Sequence, residues 1–144
     1  MEQRGLDVGL AAKGEEGTSH FGLRLGKPSD HQRRALNYVE GFRRAGGSTV
    51  SVEEDVDPAA FGFQYAESPR LPEVTPETIA DAGLAALAGE PGPNLDRILL
   101  NVASKRVLLG LTDDPNASLL ETRDAVFSGK ALGHLKGFIE RSAT

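Results

Sequence analysis

A chain of 144 residues is long enough to bury a core without covalent staples, and the absence of cysteine excludes disulfides, thiolate metal sites and cysteine nucleophiles. Its 16 Lys and Arg against 21 Asp and Glu leave a formal charge of −5. That balance argues against a general grip on nucleic acid, which needs clustered cations to displace counterions.

The opening residues 1–17 hold one apolar stretch, too short for a signal segment or a membrane span. A single cytoplasmic domain over 1–144, with no membrane partner, is therefore expected. Leu6 to Ala12 is a short apolar run followed by Lys-Gly-Glu-Glu-Gly, which reads as a buried strand leading into a tight loop. Loops after strands are where α/β proteins keep ligands. Residues 13–30 are rich in Gly and polar side chains without a sustained period; they read as loop, with a short strand at Gly22 to Leu25.

From His31 to Arg44 the residues Ala35, Leu36, Val39 and Phe42 fall at helical spacing, between Asp30 as N-cap and Gly46-Gly47 as a stop. The spacing predicts a helix. On it, Arg33 and Arg34 would stand roughly two to three turns from Arg43 and Arg44, as the basic ends of a solvated face or as a site for an anionic ligand. Ser48 to Val56 is β-branched and partly alternating, which predicts a strand whose acidic end marks an exposed edge. Residues 57–75 contain Pro58, Pro69 and Pro72 and read as connecting structure in which Phe61, Phe63 and Tyr65 are buried.

The last 70 or so residues read as four helices. Thr75 before Pro76 and Glu77 is an N-cap, a first-turn proline and a carboxylate at the positive end of the dipole, predicting a helix to about Ala88. A second runs from Leu95 to Leu109. Ser118 with Glu121 makes a capping box for a third, ending near Phe127. Ala131, Leu132, Leu135, Phe138 and Ile139 form the apolar stripe of the last. The fold class is α/β, with few strands in the first 60 residues and a helical C-terminal half. No repeat or low-complexity tract explains the imbalance. Two or three strands make a poor parallel sheet, which points to a missing part.

Asp57-Pro58-Ala59-Ala60-Phe61-Gly62, then Ala88-Gly89-Glu90-Pro91-Gly92, then Leu99-Leu100-Asn101-Val102-Ala103, then Ser128-Gly129-Lys130-Ala131 occur in that order. This succession resembles the C-terminal part of the anthranilate phosphoribosyltransferase family, relatives of the pyrimidine nucleoside phosphorylases. The resemblance covers roughly residues 8–140 and rests on the order of the motifs. It implies transfer of a ribose phosphate to an amine, with diphosphate leaving and Mg²⁺ neutralising its charge. The family's glycine-rich phosphate loop and anthranilate-binding arginine belong to an N-terminal half whose motifs have no counterpart here.

One element of the family's site should fall within this chain. Members carry paired acids that hold Mg²⁺ after a strand, in a stretch matched here by Gly14-Glu15-Glu16-Gly17-Thr18-Ser19-His20. Ser19 and His20 occupy the acid positions and are poor ligands for a hard, oxygen-seeking ion. Glu15 and Glu16 are the candidate metal carboxylates in their place. Lys13, Gly14, Gly17, Arg33 and Arg34 are the candidate substrate-binding residues, and no catalytic residue is assigned. Lys13-Gly14-Glu15-Glu16-Gly17 looks closer to a divergent branch that keeps the fold without the tryptophan-pathway activity. Nucleic-acid binding, a property of that branch, conflicts with the acidic balance.

Asn101 reads as structural, its amide bonded to the backbone of a neighbouring loop, and Lys130 as a cap or surface charge. His20, His31 and His134 are too scattered for metal-ligand spacing, and His134 reads as a surface residue. The resemblance implies a phosphoribosyltransferase-related protein, incomplete without a homo-oligomeric or separate partner chain carrying the phosphate-binding half. The alternatives are a non-enzymatic binding or regulatory module on the same scaffold, and a helical interaction protein with no α/β layer. A strand at 6–12 either pairs in parallel with 48–56 or sits unpaired at an edge.

Overall fold

Gly46 and Gly47 separate two β-rich runs, and both adopt positive φ, +58° and +83°. That is the geometry of a type I′ hairpin turn, whose twist matches the strands it joins and which non-glycine residues adopt at a cost. In the computed structural model, which describes residues 7–14, 20–24, 37–67 and 73–143, this turn closes an antiparallel pair. Strand β2 (Tyr38–Ala45) runs against β3 (Ser48–Asp55), with Ala45 opposite Ser48.

The helix expected over 31–44 is thereby corrected for its described part. Residues 38–45 are strand, because every one of them pairs with β3, and a ladder of non-local bonds overrides a helical spacing of four apolar residues. Residues 31–36 lie outside the described residues. Arg43 and Arg44 are consecutive on a strand and so point to opposite faces. Arg44 takes Asp7, donating its main-chain N–H to the Asp7 carbonyl at 2.8 Å and placing Nη1 3.8 Å from the carboxylate.

Strand β1 (Val8–Lys13) pairs antiparallel with the other side of β2, with Val8 opposite Arg43 and Lys13 opposite Tyr38. The sheet order is β1-β2-β3. Neither expected arrangement of the first strand holds: β1 neither pairs in parallel with residues 48–56 nor stands alone. It is nonetheless an edge, as is β3, whose acidic end at Glu53, Glu54 and Asp55 is exposed as expected. Gly41 is required here, since a Cβ on it would lie 2.0 Å from the Gly9 carbonyl oxygen across the ladder. The period of two puts Leu10, Ala12, Val39 and Val52 on one face, and that face joins the core.

The helices form the second layer: α1 (Pro76–Leu87), α2 (Pro93–Leu108), α3 (Pro115–Phe127) and α4 (Lys130–Ser142). Each of the first three carries proline at its first turn, where the missing N–H costs nothing. Thr75 caps α1 as expected, with Thr78 in place of a glutamate completing the box: each hydroxyl accepts from the other residue's N–H, at 3.2 and 3.0 Å. The start of α3 is a correction. Asp114 is its N-cap, accepting from Asn116 and Ala117, and Ser118 lies inside the helix. The Ser118 hydroxyl is buried and donates to the Ala103 carbonyl of α2 at 2.9 Å, while Glu121 meets Arg106.

Helix α2 is the centre of the core. Leu95, Leu99, Leu100, Ala103 and Leu108 are buried along it. Leu119 and Val126 of α3, Ala86 of α1 and the sheet residues pack around them. Between sheet and helices, Asp57 caps a 3-10 turn (Pro58–Phe61), its Oδ1 accepting from Ala59 N–H at 2.9 Å, and the turn lies against α2 and α3. Phe61 and Phe63 are buried, but Tyr65, expected inside, is exposed and donates its hydroxyl to Asp57 at 3.0 Å. The phenol needs a polar partner, and an aspartate at the surface supplies it. The sheet removes the all-helical alternative, and the fold is α/β as expected.

Leu99→Ala is expected to lower stability by about 2–5 kcal/mol through a cavity in the centre of the core. Gly133→Ala, in α4 where an added methyl meets nothing within 4 Å, is expected to raise it by about 1 kcal/mol or less through helix propensity. Urea unfolding of the two variants against the parent chain measures both, and opposite shifts of the midpoint are the expected outcome.

Candidate functional site

The strand expected at Gly22–Leu25 is absent from its described part: residues 21–24 form a loop whose main chain is held by side chains. Asn101, on α2, accepts the Phe21 N–H at its Oδ1, 2.8 Å, and donates from Nδ2 to the Phe21 carbonyl at 2.8 Å. The same Nδ2 donates to the Arg97 carbonyl at 2.9 Å. Asn37 repeats the arrangement one residue on, accepting from Gly22 N–H at 2.9 Å and donating to its carbonyl at 2.8 Å. Two amides thus stand in for the neighbouring strands that would otherwise satisfy this backbone. Phe21 and Leu23 are fully buried between the layers. The backbone role expected of Asn101 is the one it plays.

Gly14 is buried at the end of β1, where the loop returns. A Cβ there would sit 1.6 Å from the His20 carbonyl oxygen, so only glycine permits the approach. The consequence is the position of His20, which is held at the mouth of an open cleft of about 450 Å³ between α1 and α2. Ile79, Ala82 and Gly83 of α1 and Ile98 of α2 give it an apolar wall. Asn94, Arg97, Asn101 and Lys105 supply the polar side.

Arg97 Nη2 lies 2.6 Å from His20 Nε2. A guanidinium only donates, so this bond assigns Nε2 as the acceptor and the ring as neutral, with its proton on Nδ1. Arg97 Nε is sheltered from solvent and has no hydrogen-bond partner. Lys105 Nζ lies 6.0 Å from the centroid of the Phe21 ring, within cation–π range. Among the described residues the lining carries two cations, Arg97 and Lys105, and no carboxylate, in a chain of net charge −5.

Of the residues expected to form the site, Lys13 ends β1, exposed, with Nζ 5.7 Å from the centroid of the Tyr38 ring. It does not line the cleft. Gly14 supports the loop sterically. Glu15, Glu16, Gly17, Arg33, Arg34 and His31 lie outside the described residues. His134 is exposed on α4. Arg97 and Lys105 were missed, although a signal exists: with Asn101 they recur every four residues, a polar stripe beside the buried apolar face of the helix.

No family model matches the chain. It is 31% identical over 88 residues to the anthranilate phosphoribosyltransferase of Stenotrophomonas maltophilia (strain K279a), an alignment covering 61% of this chain and 26% of that protein. With the enzyme of that name from Chromobacterium violaceum it is 32% identical over 91 residues, 63% of this chain and 27% of the relative. With that of Geotalea uraniireducens (strain Rf4) it is 43% identical over 54 residues, 38% and 15% of the two. The resemblance read from the residues is thus shown, as a partial match of the C-terminal type. The chain spans about a quarter of the length of the first two relatives.

The described residues do not fit Mg²⁺. Among them no group of three or more His, Cys, Asp or Glu side chains converges to hold a metal ion. His20 turns its lone pair to a guanidinium, which repels a dication, and the candidate carboxylates Glu15 and Glu16 lie outside the described residues.

Asn101→Leu is expected to orphan the N–H and C=O of Phe21, at about 1–3 kcal/mol for each group left buried and unpaired. Hydrogen exchange at the Phe21 amide should accelerate far more than at amides of α3, which Asn101 does not touch.

Proposed function

We propose that this chain is a phosphoribosyltransferase-related protein that handles a phosphorylated sugar and works with a second copy or a partner chain supplying the phosphate-binding half. The observation that carries this reading is the partial match to anthranilate phosphoribosyltransferases over about 60% of the chain. The cation-lined cleft beside the loop after β1 supports it. In this reading residues 1–144 form one domain of the larger arrangement. The reaction breaks the bond between the anomeric carbon and the diphosphate oxygen and forms one to an amine nitrogen, which gives up a proton to solvent as the diphosphate leaves. Negative charge gathers on the departing diphosphate, and fixed cations placed beside it lower the barrier because they need no reorganisation. Among the described residues, Arg97 and Lys105 are the cations on the cleft that would serve that duty. Lys13, Gly14 and Gly17, together with Arg33 and Arg34, are the further substrate contacts of this reading.

Light scattering on the purified chain, with a parallel titration of phosphoribosyl diphosphate, tests it. The expected result is an assembly larger than a monomer that binds the compound. A stable monomer that binds none would overturn the reading in favour of a scaffold without this chemistry.

A further inference from the structure

The two edges of the sheet are guarded differently. Strand β3 ends in Glu53, Glu54 and Asp55, all exposed, and charge of one sign discourages a further strand there. Strand β1 holds Val8-Gly9-Leu10-Ala11-Ala12 between the exposed Asp7 and Lys13, with no charge, proline or bulge inside that run. Among the described residues no strand pairs with its outer side.

The main-chain groups which that side offers follow from the ladder. Arg44 donates its N–H to the Asp7 carbonyl, and bonding alternates along an antiparallel pair. Residues 7, 9, 11 and 13 therefore turn their N–H and C=O to β2, while Val8, Leu10 and Ala12 turn theirs outward. An antiparallel strand that uses all three outward residues is centred on Leu10. If that strand is a second β1, Leu10 meets Leu10, Val8 meets Ala12 and Asp7 meets Lys13. Both end pairs then join opposite charges, at the non-hydrogen-bonded positions where facing side chains come closest. Gly9 opposite Ala11 keeps the stretch between them free of bulk.

We propose that two copies of this chain pair through β1, antiparallel and centred on Leu10, joining their sheets into one. The occupant is a second copy because the strand is its own complement in charge; like charges at its two ends would repel in the same register. The contact is isologous and leaves the helices of both copies on one face of the joined sheet. On that face Val8, Leu10 and Ala12 line an apolar groove of about 240 Å³ with Leu108 and Leu109 of α2, and Leu10 of the second copy lands beside it. The pairing does not rest on the phosphoribosyltransferase reading.

Sedimentation equilibrium of the full chain tests it, and a dimer is expected. Asp7→Lys sets lysine against lysine and Lys13→Asp sets aspartate against aspartate, so each should raise the dissociation constant about tenfold. Mixed in equal amounts, the two variants regain opposite charges at both ends, and the mixture should dimerise as the parent does. Ala12→Pro removes an outward N–H, leaves the bonds to β2 in place, and should give a monomer with the circular dichroism of the parent. A monomeric parent overturns the proposal. A dimer that the single reversals and Ala12→Pro leave intact overturns it too, as does a mixture no tighter than its components. In each case titration with phosphoribosyl diphosphate decides the phosphoribosyltransferase reading separately.

Discussion

The main chain at Phe21 is gripped on both its polar groups by one side chain, the amide of Asn101, 80 residues further along. Each such bond contributes about 1 kcal/mol net, but leaving the two groups buried and unpaired would cost more than the bonds add. The fold therefore holds the loop in one place. Asn37 secures the next residue from the sheet side, so the loop is tied to both layers at once. Phe21 and Leu23 fill the space between them. Gly14 completes the constraint by letting the His20 carbonyl pass where a side chain would block it. The place of His20 on the cleft follows from that anchoring, because His20 is the residue next to the one that Asn101 holds.

Helices were legible where their ends carry local chemistry. Thr75-Pro76 and the apolar run from Leu95 to Leu108 each state their structure within a few residues. The start of α3 was misread because two caps compete: Ser118 and Glu121 have capping-box spacing, but Asp114-Pro115 fills the same role one turn earlier. Strand β2 was not legible. Its apolar residues fall three apart, and what makes it a strand is hydrogen bonding on both sides, to β1 and β3. Gly46-Gly47 stops a helix or turns a hairpin equally well. The β-branched run that follows it was the evidence for the hairpin, read separately and never joined to it.

The site was half visible for a similar reason. His20 entered through the resemblance, as a poor ligand at an acid position, and its partner Arg97 lies 77 residues away, so that no local pattern connects them. The stripe of Arg97, Asn101 and Lys105 lies in the sequence at a period of four. It was masked by the strong apolar periodicity of the same helix, which explains the fold so well that the polar face passes as solvent-exposed. Net charge misled in the same direction. A total of −5 describes the average field of the chain, whereas a ligand in a cleft responds to the two or three charges lining it.

A guanidinium and a divalent cation answer the same electrostatic demand with different consequences. The ion offers a concentrated charge to the oxygens of a leaving group, but it must be recruited by carboxylates that raise no affinity for an anion on their own. The guanidinium is covalently present, planar and always charged, and it recognises two oxygens at once. A neutral imidazole orients the guanidinium through its lone pair without neutralising it, which a carboxylate in that position could not do.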